Sequence, residues 1–184
     1  MIVDEVQTGL GRTGKLWGFE WDSIKPDIVC TSKSIGGGIP LSVVYYRDDF
    51  DSKLPTPYHP GTFRGNSLAL AAGTVMLKEI PRYLEKVRIE GANLQKRFSS
   101  IGSPLIGDVR GRGFIIGIDL VQNHRPLSNT RMLAIKHEML RRGLMMHSCG
   151  HYGNVFRFMG ALNIPTQYLE IGARIFEEAL KSSD

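Results

Sequence analysis

Short apolar runs alternate with glycine- and proline-rich stretches through the first third of the chain. Residues 1–3, 27–31 and 41–46 are predicted strands, and a glycine-rich loop over 9–18 follows the first of them. Too few residues separate the second and third strands for a helical crossover. We therefore expect the third strand to run antiparallel to the second or to leave the sheet.

From residue 66 the pattern becomes helical. The run L-A-L-A-A-G-T-V-M-L-K-E-I, which begins at Leu68, predicts a helix that is apolar on almost every face and therefore buried. Pro81 is expected to end or kink this helix. The next helix carries its apolar residues on one stripe: Leu84, Val87, Leu94, Phe98 and Ile101.

After Gly102 strands and helices alternate in a mixed order. The pattern predicts one or two strands over 109–121, a helix over 130–142, strands over 144–147 and 155–159, and a last helix over 166–181. Residues 1–102 read as part of an α/β domain, and residues 103–184 as a smaller α+β domain.

The charge pattern argues against a nucleic-acid-binding protein. The 184 residues carry a formal net charge of +5, and 22% of them are charged. Basic pairs fall in helix-like stretches and lack interleaved aromatic residues, which is typical of solvated helix faces. A mildly positive balance suits anionic small molecules instead.

Cysteine content and hydropathy give expectations about location. The two cysteines, Cys30 and Cys149, do not form a C-x-x-C motif, which fits a reducing compartment without disulfides. No apolar run reaches membrane-spanning length, and the first residues lack signal-peptide anatomy. We therefore expect a cytoplasmic protein without a membrane partner.

An acid and an amine each follow a predicted strand. Asp4 comes at the end of the first strand and Lys33 just after the second. In open α/β sheets ligands bind beyond the carboxyl ends of strands, so both groups could face one pocket. A desolvated lysine amine is a nucleophile that suits Schiff-base chemistry. Without further context, the local sequence favours a solvated loop lysine at position 33.

The glycines after Lys33 do not form a Walker A loop. That loop needs G-x-x-x-x-G-K-[ST] before a helix, whereas here the lysine precedes the glycines at 36–38 and a strand follows. These glycines suit a sharp turn with close backbone approach.

A second candidate site consists of His147, Cys149 and His151, which could supply ligands to zinc. No fourth ligand is evident nearby, and Gly150 and Gly153 interrupt the stretch. A turn between two strands is the competing interpretation.

Seven motifs follow one another along the chain: D-E-V-Q-T-G from Asp4, G-R-T-G from Gly11, P-D-I-V from Pro26, S-K-S-I-G-G-G-I-P-L-S from Ser32, G-T-F-R-G-N from Gly61, R-G-R-G-F-I-I-G-I-D-L from Arg110 and G-N-V-F-R-F from Gly153. This ordered set resembles the class III pyridoxal-phosphate-dependent aminotransferases, within them most closely the diaminobutyrate–2-oxoglutarate group. Several motifs in the right order are far more specific than any single one.

The resemblance implies roles for two residues in the chemistry of pyridoxal 5'-phosphate. Lys33 would hold the cofactor aldehyde as a Schiff base and then carry a proton. Asp4 would pair with the pyridinium nitrogen and keep it charged.

It also implies roles in binding. Val6 would pack on the cofactor ring, Gln7 would hydrogen-bond its phenolic oxygen, and Thr62 would bind its phosphate, usually across a dimer interface. Arg157 would clamp a substrate carboxylate, a task suited to a planar guanidinium. Each residue also has a simpler interpretation, as core, turn cap or solvent-facing side chain.

The fold implied is a partial type I PLP-dependent transferase: the later part of the large domain, then the C-terminal small domain. The function implied is transfer of an amino group from a diamino or ω-amino acid, 2,4-diaminobutyrate being the expected donor, to 2-oxoglutarate. A homodimer or higher oligomer is expected. Since the family segment before D-E-V-Q is absent, the alternative is a non-catalytic remnant or a half-enzyme that needs a separate N-terminal chain.

Overall fold

The computed structural model describes residues 1–182 and divides into two compact units. The first covers Met1–Glu85 and the second begins at Lys86. Each unit has a sheet of its own. The sequence-based domain boundary after residue 102 stays a prediction. Within the described residues, no helix combines the length and the hydropathy that crossing a bilayer requires.

The first unit is built on a three-stranded sheet with the order β1-β2-β3. Strand β1 (Ile2–Asp4) runs parallel to β2 (Ile28–Thr31), and β3 (Val43–Tyr46) runs antiparallel to β2. The antiparallel third strand confirms the expectation from the short β2–β3 connection.

Short 3-10 helices and a charged cluster shape the connections of this unit. The 3-10 helices span Gly18–Trp21, Lys33–Gly36, Asp48–Lys53 and Ile80–Tyr83. Arg47, which follows β3, donates to Asp27 and to Asp49, each at 2.7 Å. The guanidinium therefore joins the end of β3 to the residue that precedes β2.

Helix α1 (Ser67–Glu79) begins where the Asn66 side chain accepts a hydrogen bond from the Ala69 amide at 3.1 Å. The predicted burial of this helix is wrong for the chain as it stands, because Leu68 is 70% and Val75 57% exposed. Only a narrow stripe of small residues, including Ala69 and Gly73, is buried. The apolar composition of a helix indicates that it could be buried on all sides. It does not indicate which chain would cover it.

The second unit has an antiparallel sheet with the order β4-β5-β8-β7, and a short β6 pairs with β5. The strands are β4 (Ile106–Arg112), β5 (Ile115–Gln122), β6 (Arg125–Pro126), β7 (His147–Cys149) and β8 (Val155–Phe158). The stretch predicted as one or two strands is thus a hairpin. The strand predicted over 144–147 lies a few residues later, as β7.

Three helices accompany this sheet, α2 (Leu84–Ser99), α3 (Asn129–Arg141) and α4 (Thr166–Lys181), and α4 has its predicted bounds. The core between them is aromatic. The Phe176 ring meets Phe98 at a centroid distance of 5.5 Å and Phe156 at 6.0 Å, in edge-on geometry.

An ion-pair network ties α2 to α4. Arg97 donates to Glu177 at 2.7 Å and to Glu170 at 3.1 Å, and Lys181 also donates to Glu177 at 2.7 Å. Lys181 and then Arg97 lower the pKa of Glu177. These pairs lie at the surface, so they orient the two helices more than they stabilise the fold.

Helix α2 comes close to the turn between β4 and β5 because residue 91 is a glycine and has no side chain. A Cβ added to Gly91 in α2 would lie 2.3 Å from the carbonyl oxygen of Gly113, which joins β4 to β5. By contrast, a Cβ on Gly172 in α4 would meet Leu144 at an ordinary 3.6 Å.

The two helix glycines should respond oppositely to alanine. Gly172→Ala should stabilise the second unit by about 0.5–1 kcal/mol, since alanine is the better helix former. Gly91→Ala should destabilise it by about 3 kcal/mol, because the backbone of Gly113 must move. Far-UV circular dichroism during urea unfolding measures both. Equal gains for the two variants would contradict the close contact.

Candidate functional site

Asp4 and Lys33 lie at the same edge of the first sheet. Asp4 ends β1 and pairs in register with Cys30, and Lys33 follows the end of β2 at Thr31. Because β1 and β2 are parallel, their carboxyl ends share an edge. Both side chains are exposed there. Asp4 Oδ1 accepts a hydrogen bond from the Val6 amide at 2.9 Å, which orients the carboxylate.

Lys33 has a strained backbone. Its φ of 50° lies in the left-handed region, which lysine adopts at a cost. The surrounding turn holds it there, since Ser32 Oγ bonds to the Leu41 carbonyl at 3.0 Å and to Ser42 Oγ at 2.8 Å. Gly37, with φ of 58°, then ends the 3-10 helix. The turn therefore holds the backbone of Lys33 in the left-handed conformation.

Helix α1 packs directly behind this turn. A Cβ on Gly73 would lie 3.1 Å from the Ile35 carbonyl oxygen and 2.9 Å from Leu41 Cδ2, and one on Gly37 would lie 3.1 Å from Met76 Cγ. The helix therefore approaches to backbone contact and supports the segment that carries Lys33.

The segment after β1 carries Val6, which is half-buried, and Gln7, which is exposed. It continues into the glycine-rich loop, where burial lowers the pKa of Arg12 because the charged form loses solvation. Sequence analysis missed Glu5, a buried carboxylate that binds the far end of this loop. The one available signal was strand alternation, which turns Glu5 away from the face of Asp4.

Thr62 and Arg157 belong to segments of the sequence other than those that carry Asp4 and Lys33. Thr62 belongs to an exposed turn that the Arg64 amide closes onto the Gly61 carbonyl at 3.2 Å. Arg157 is half-buried on β8 of the second unit, and its register partners across the sheet are Gly117 and His147.

The zinc hypothesis receives no support. His147 and Cys149 lie on β7, and His151 lies in the turn that leads to β8. Among residues 1–182 no cluster of three or more acidic, histidine or cysteine side chains could hold a metal ion.

Known proteins match this chain over almost its whole length. A family model described as aminotransferase class-III matches residues 1–180. The chain belongs to the class III aminotransferases. A diaminobutyrate–2-oxoglutarate aminotransferase of Rhizobium meliloti (strain 1021) is 42% identical over 176 residues, which are 89% of this chain and 37% of that protein.

Two further similar proteins also match nearly all of this chain and less than half of their own length. An acetylornithine aminotransferase of Aquifex aeolicus (strain VF5) is 32% identical over 98% of this chain and 44% of its own length. A crystal structure of a Bacillus anthracis aminotransferase superposes with a TM-score of 0.92 at 26% identity, over 98% of this chain and 44% of that one. The chain thus has a transaminase fold and spans less than half the length of these relatives.

The strain at Lys33 gives a testable difference between two substitutions. Lys33→Gly should be more stable than Lys33→Ala by about 0.5–1 kcal/mol. Glycine adopts positive φ without strain, and this advantage exceeds the extra conformational entropy that glycine loses on folding. Urea unfolding followed by tryptophan fluorescence reports on this unit, since the two tryptophans, Trp17 and Trp21, both lie within it. Equal stability of the two variants would show that Lys33 is unstrained in solution.

Proposed function

We propose that this chain supplies the lysine-bearing part of a class III aminotransferase that uses pyridoxal 5'-phosphate. The observation that carries the proposal is the register of β1 on β2, which sets Asp4 and Lys33 at one sheet edge. Family membership supports it, and the strained backbone of Lys33 is of the kind found at functional sites.

Four polar side chains of the first unit match the chemistry of the cofactor, and Asp4 and Lys33 among them lie at the shared sheet edge. An amine suits its aldehyde, a carboxylate suits its pyridinium nitrogen, an amide suits its phenolic oxygen, and a hydroxyl suits its phosphate. Lys33, Asp4, Gln7 and Thr62 would supply these in that order, and Val6 would contact the ring. When bound, the cofactor accepts electrons from the carbon that bears the amino group of the substrate.

Each proposed residue has a separate task. The Lys33 amine would hold the cofactor by its aldehyde, and Lys33 Nζ would move a proton to and from the amino-bearing carbon of the substrate. The Asp4 carboxylate would keep the ring nitrogen protonated through charge pairing. The net reaction is redox-balanced, since one carbon passes from amine to carbonyl while another does the reverse.

The proposed donor is a diamino or ω-amino acid, with 2,4-diaminobutyrate favoured, and the proposed acceptor is 2-oxoglutarate. The diaminobutyrate–2-oxoglutarate relative supports this choice. Arg157 is proposed to bind a substrate carboxylate through its planar guanidinium, an assignment carried by the resemblance alone. We further propose a cytoplasmic setting, in keeping with Cys30 and Cys149 as free thiols.

The cofactor assignment predicts a single covalent adduct. After incubation with pyridoxal 5'-phosphate and reduction with borohydride, mass spectrometry of peptides should find the adduct on the peptide that contains Lys33. Lys33→Ala should lose the adduct, because the substitution removes the amine that would hold the aldehyde. Lys25→Ala removes another exposed lysine of the same unit and should keep it.

Three other outcomes have different meanings, and the first and the last would contradict this assignment. Adducts spread evenly over exposed lysines would mean ordinary surface labelling. No Lys33 adduct in this chain, but one when a separately produced N-terminal segment of a relative is added, would favour the half-enzyme alternative. No adduct under either condition would favour the non-catalytic remnant.

The proposed partner is a second copy of this chain. Thr62 lies beside Phe63, which is 85% exposed, and Leu68 and Val75 on α1 of the same unit are exposed as well. Large apolar side chains exposed in one unit are of the kind that an interface would cover. The expected role of Thr62 toward a neighbouring cofactor supports the same partner.

Sedimentation velocity tests this partner. Wild-type protein should associate as its concentration rises, and Leu68→Lys should shift the distribution toward monomer by at least about tenfold in dissociation constant, because a charge would be buried. The matched control is Leu133→Lys on α3, where the leucine is 52% exposed. A wild-type chain that stays monomeric, or equal effects of both variants, would contradict the assignment.

A further inference from the structure

Glu5 carries a carboxylate buried at the start of the glycine-rich loop. The residue is only 2% exposed. Its Oε2 accepts hydrogen bonds from Thr8 Oγ1 at 2.6 Å and from the Gly18 amide at 3.0 Å, and its Oε1 accepts one from the Phe19 amide at 2.9 Å. A buried carboxylate is costly unless donors surround it, so these contacts must form for the loop to close.

The contacts join positions that are distant along the chain. The amides of Gly18 and Phe19 lie 13 and 14 residues after Glu5, at the start of the 3-10 helix Gly18–Trp21. The first amides of a helix have no partner within the helix, which makes them good donors to a carboxylate. One side chain therefore binds both the beginning and the end of the loop.

The local sequence leaves room for this carboxylate. A Cβ on Gly18 would lie 3.1 Å from Glu5 Oε2, and one on Gly9 would lie 2.8 Å from the Glu5 carbonyl oxygen. The Gly9 amide also donates to that carbonyl at 3.1 Å. The two glycines thus bring loop backbone against Glu5 from both sides.

The far end of the loop also rests on the sheet. The indole of Trp17 contacts Tyr45 of β3 edge-on at 5.8 Å between centroids, and lies parallel to the Phe19 ring at 6.3 Å. When Glu5 holds the amides of Gly18 and Phe19, this aromatic group is held in contact with β3. These contacts connect the loop to β3, and Glu5 connects it to the end of β1.

We propose that Glu5 is a positioning residue for the cofactor-binding edge. Its carboxylate closes the loop over residues 6–19 and so fixes Val6 and Gln7 beside Asp4, without itself contacting the cofactor. The loop-closing role is independent of the reaction, whereas its consequence for the cofactor rests on the proposed function. In this proposal Asp4 contacts the cofactor, whereas Glu5 closes the loop.

The variant Glu5→Gln tests the loop-closing role. The amide side chain keeps the volume but replaces one acceptor oxygen with an NH2 group, so one backbone amide loses its partner in either orientation. Trypsin cleavage after Arg12 and Lys15, both half-buried within the loop, should become about 10-fold faster or more, as expected for loss of a charged hydrogen bond. Tryptophan emission should shift to the red while the far-UV spectrum is retained.

Two further variants make the result specific. Glu20→Gln alters a glutamate just after the loop, whose Oε2 accepts a hydrogen bond from the Trp17 amide at 3.1 Å, and this variant should be cleaved close to the wild-type rate. Thr8→Val removes one donor to Glu5 and leaves both amide contacts, so it should give an intermediate rate. If Glu5→Gln does not fold, the Thr8→Val variant still decides. Wild-type cleavage and emission in Glu5→Gln, or in Thr8→Val when Glu5→Gln is unfolded, would overturn the proposal.

Cofactor titration separates positioning from general support of the fold. In Glu5→Gln the concentration of pyridoxal 5'-phosphate that gives half of the Lys33 adduct should rise about tenfold, with the same adduct at saturation. Unchanged half-saturation together with an opened loop would refute the positioning role. If wild-type chain forms no Lys33 adduct, the proposed function fails while the trypsin result still decides whether Glu5 closes the loop.

Discussion

The parallel pairing of β1 with β2 is the constraint on which the candidate site depends. It aligns Asp4 with Cys30 and continues in the hydrogen bond from the Glu5 amide to the Cys30 carbonyl at 2.8 Å. Residues that are 29 positions apart in sequence, Asp4 and Lys33, come to one edge only because of this register. A slip by one residue would exchange the faces of Asp4 and Glu5 and would turn Asp4 away from the edge that it shares with Lys33.

Asp4 and Glu5 are adjacent acidic residues with different roles, because they lie on opposite faces of the strand. Alternation points successive side chains to opposite faces, so Asp4 is exposed at the edge while Glu5 is buried against the loop. The same carboxylate chemistry serves an external ligand in one case and backbone amides in the other. The turn at Lys33 repeats this logic, with an exposed amine outside and Ile35 buried beneath it against α1.

Local sequence patterns predicted most of the strands and helices, but not the burial of α1 or the long-range contacts of Glu5. Strand alternation and helix periodicity were enough for β3 and for both ends of α4, and they predicted strand over 109–121 without deciding between one strand and the two of the β4–β5 hairpin. The burial of α1 depended on what covers Leu68 and Val75, which helix periodicity does not contain. Glu5 was missed because its donors at Gly18 and Phe19 are brought to it by the loop, and no short motif records such a contact.

The conformation of Lys33 has a consequence for how such a sequence would drift. At a left-handed position glycine relieves strain, so selection for stability alone would remove lysine from position 33. A lineage that no longer needed the amine should accumulate glycine there, with little effect on the rest of the turn. The residue at this single position would therefore record whether a lineage still uses the amine, even where every strand and helix around it is unchanged.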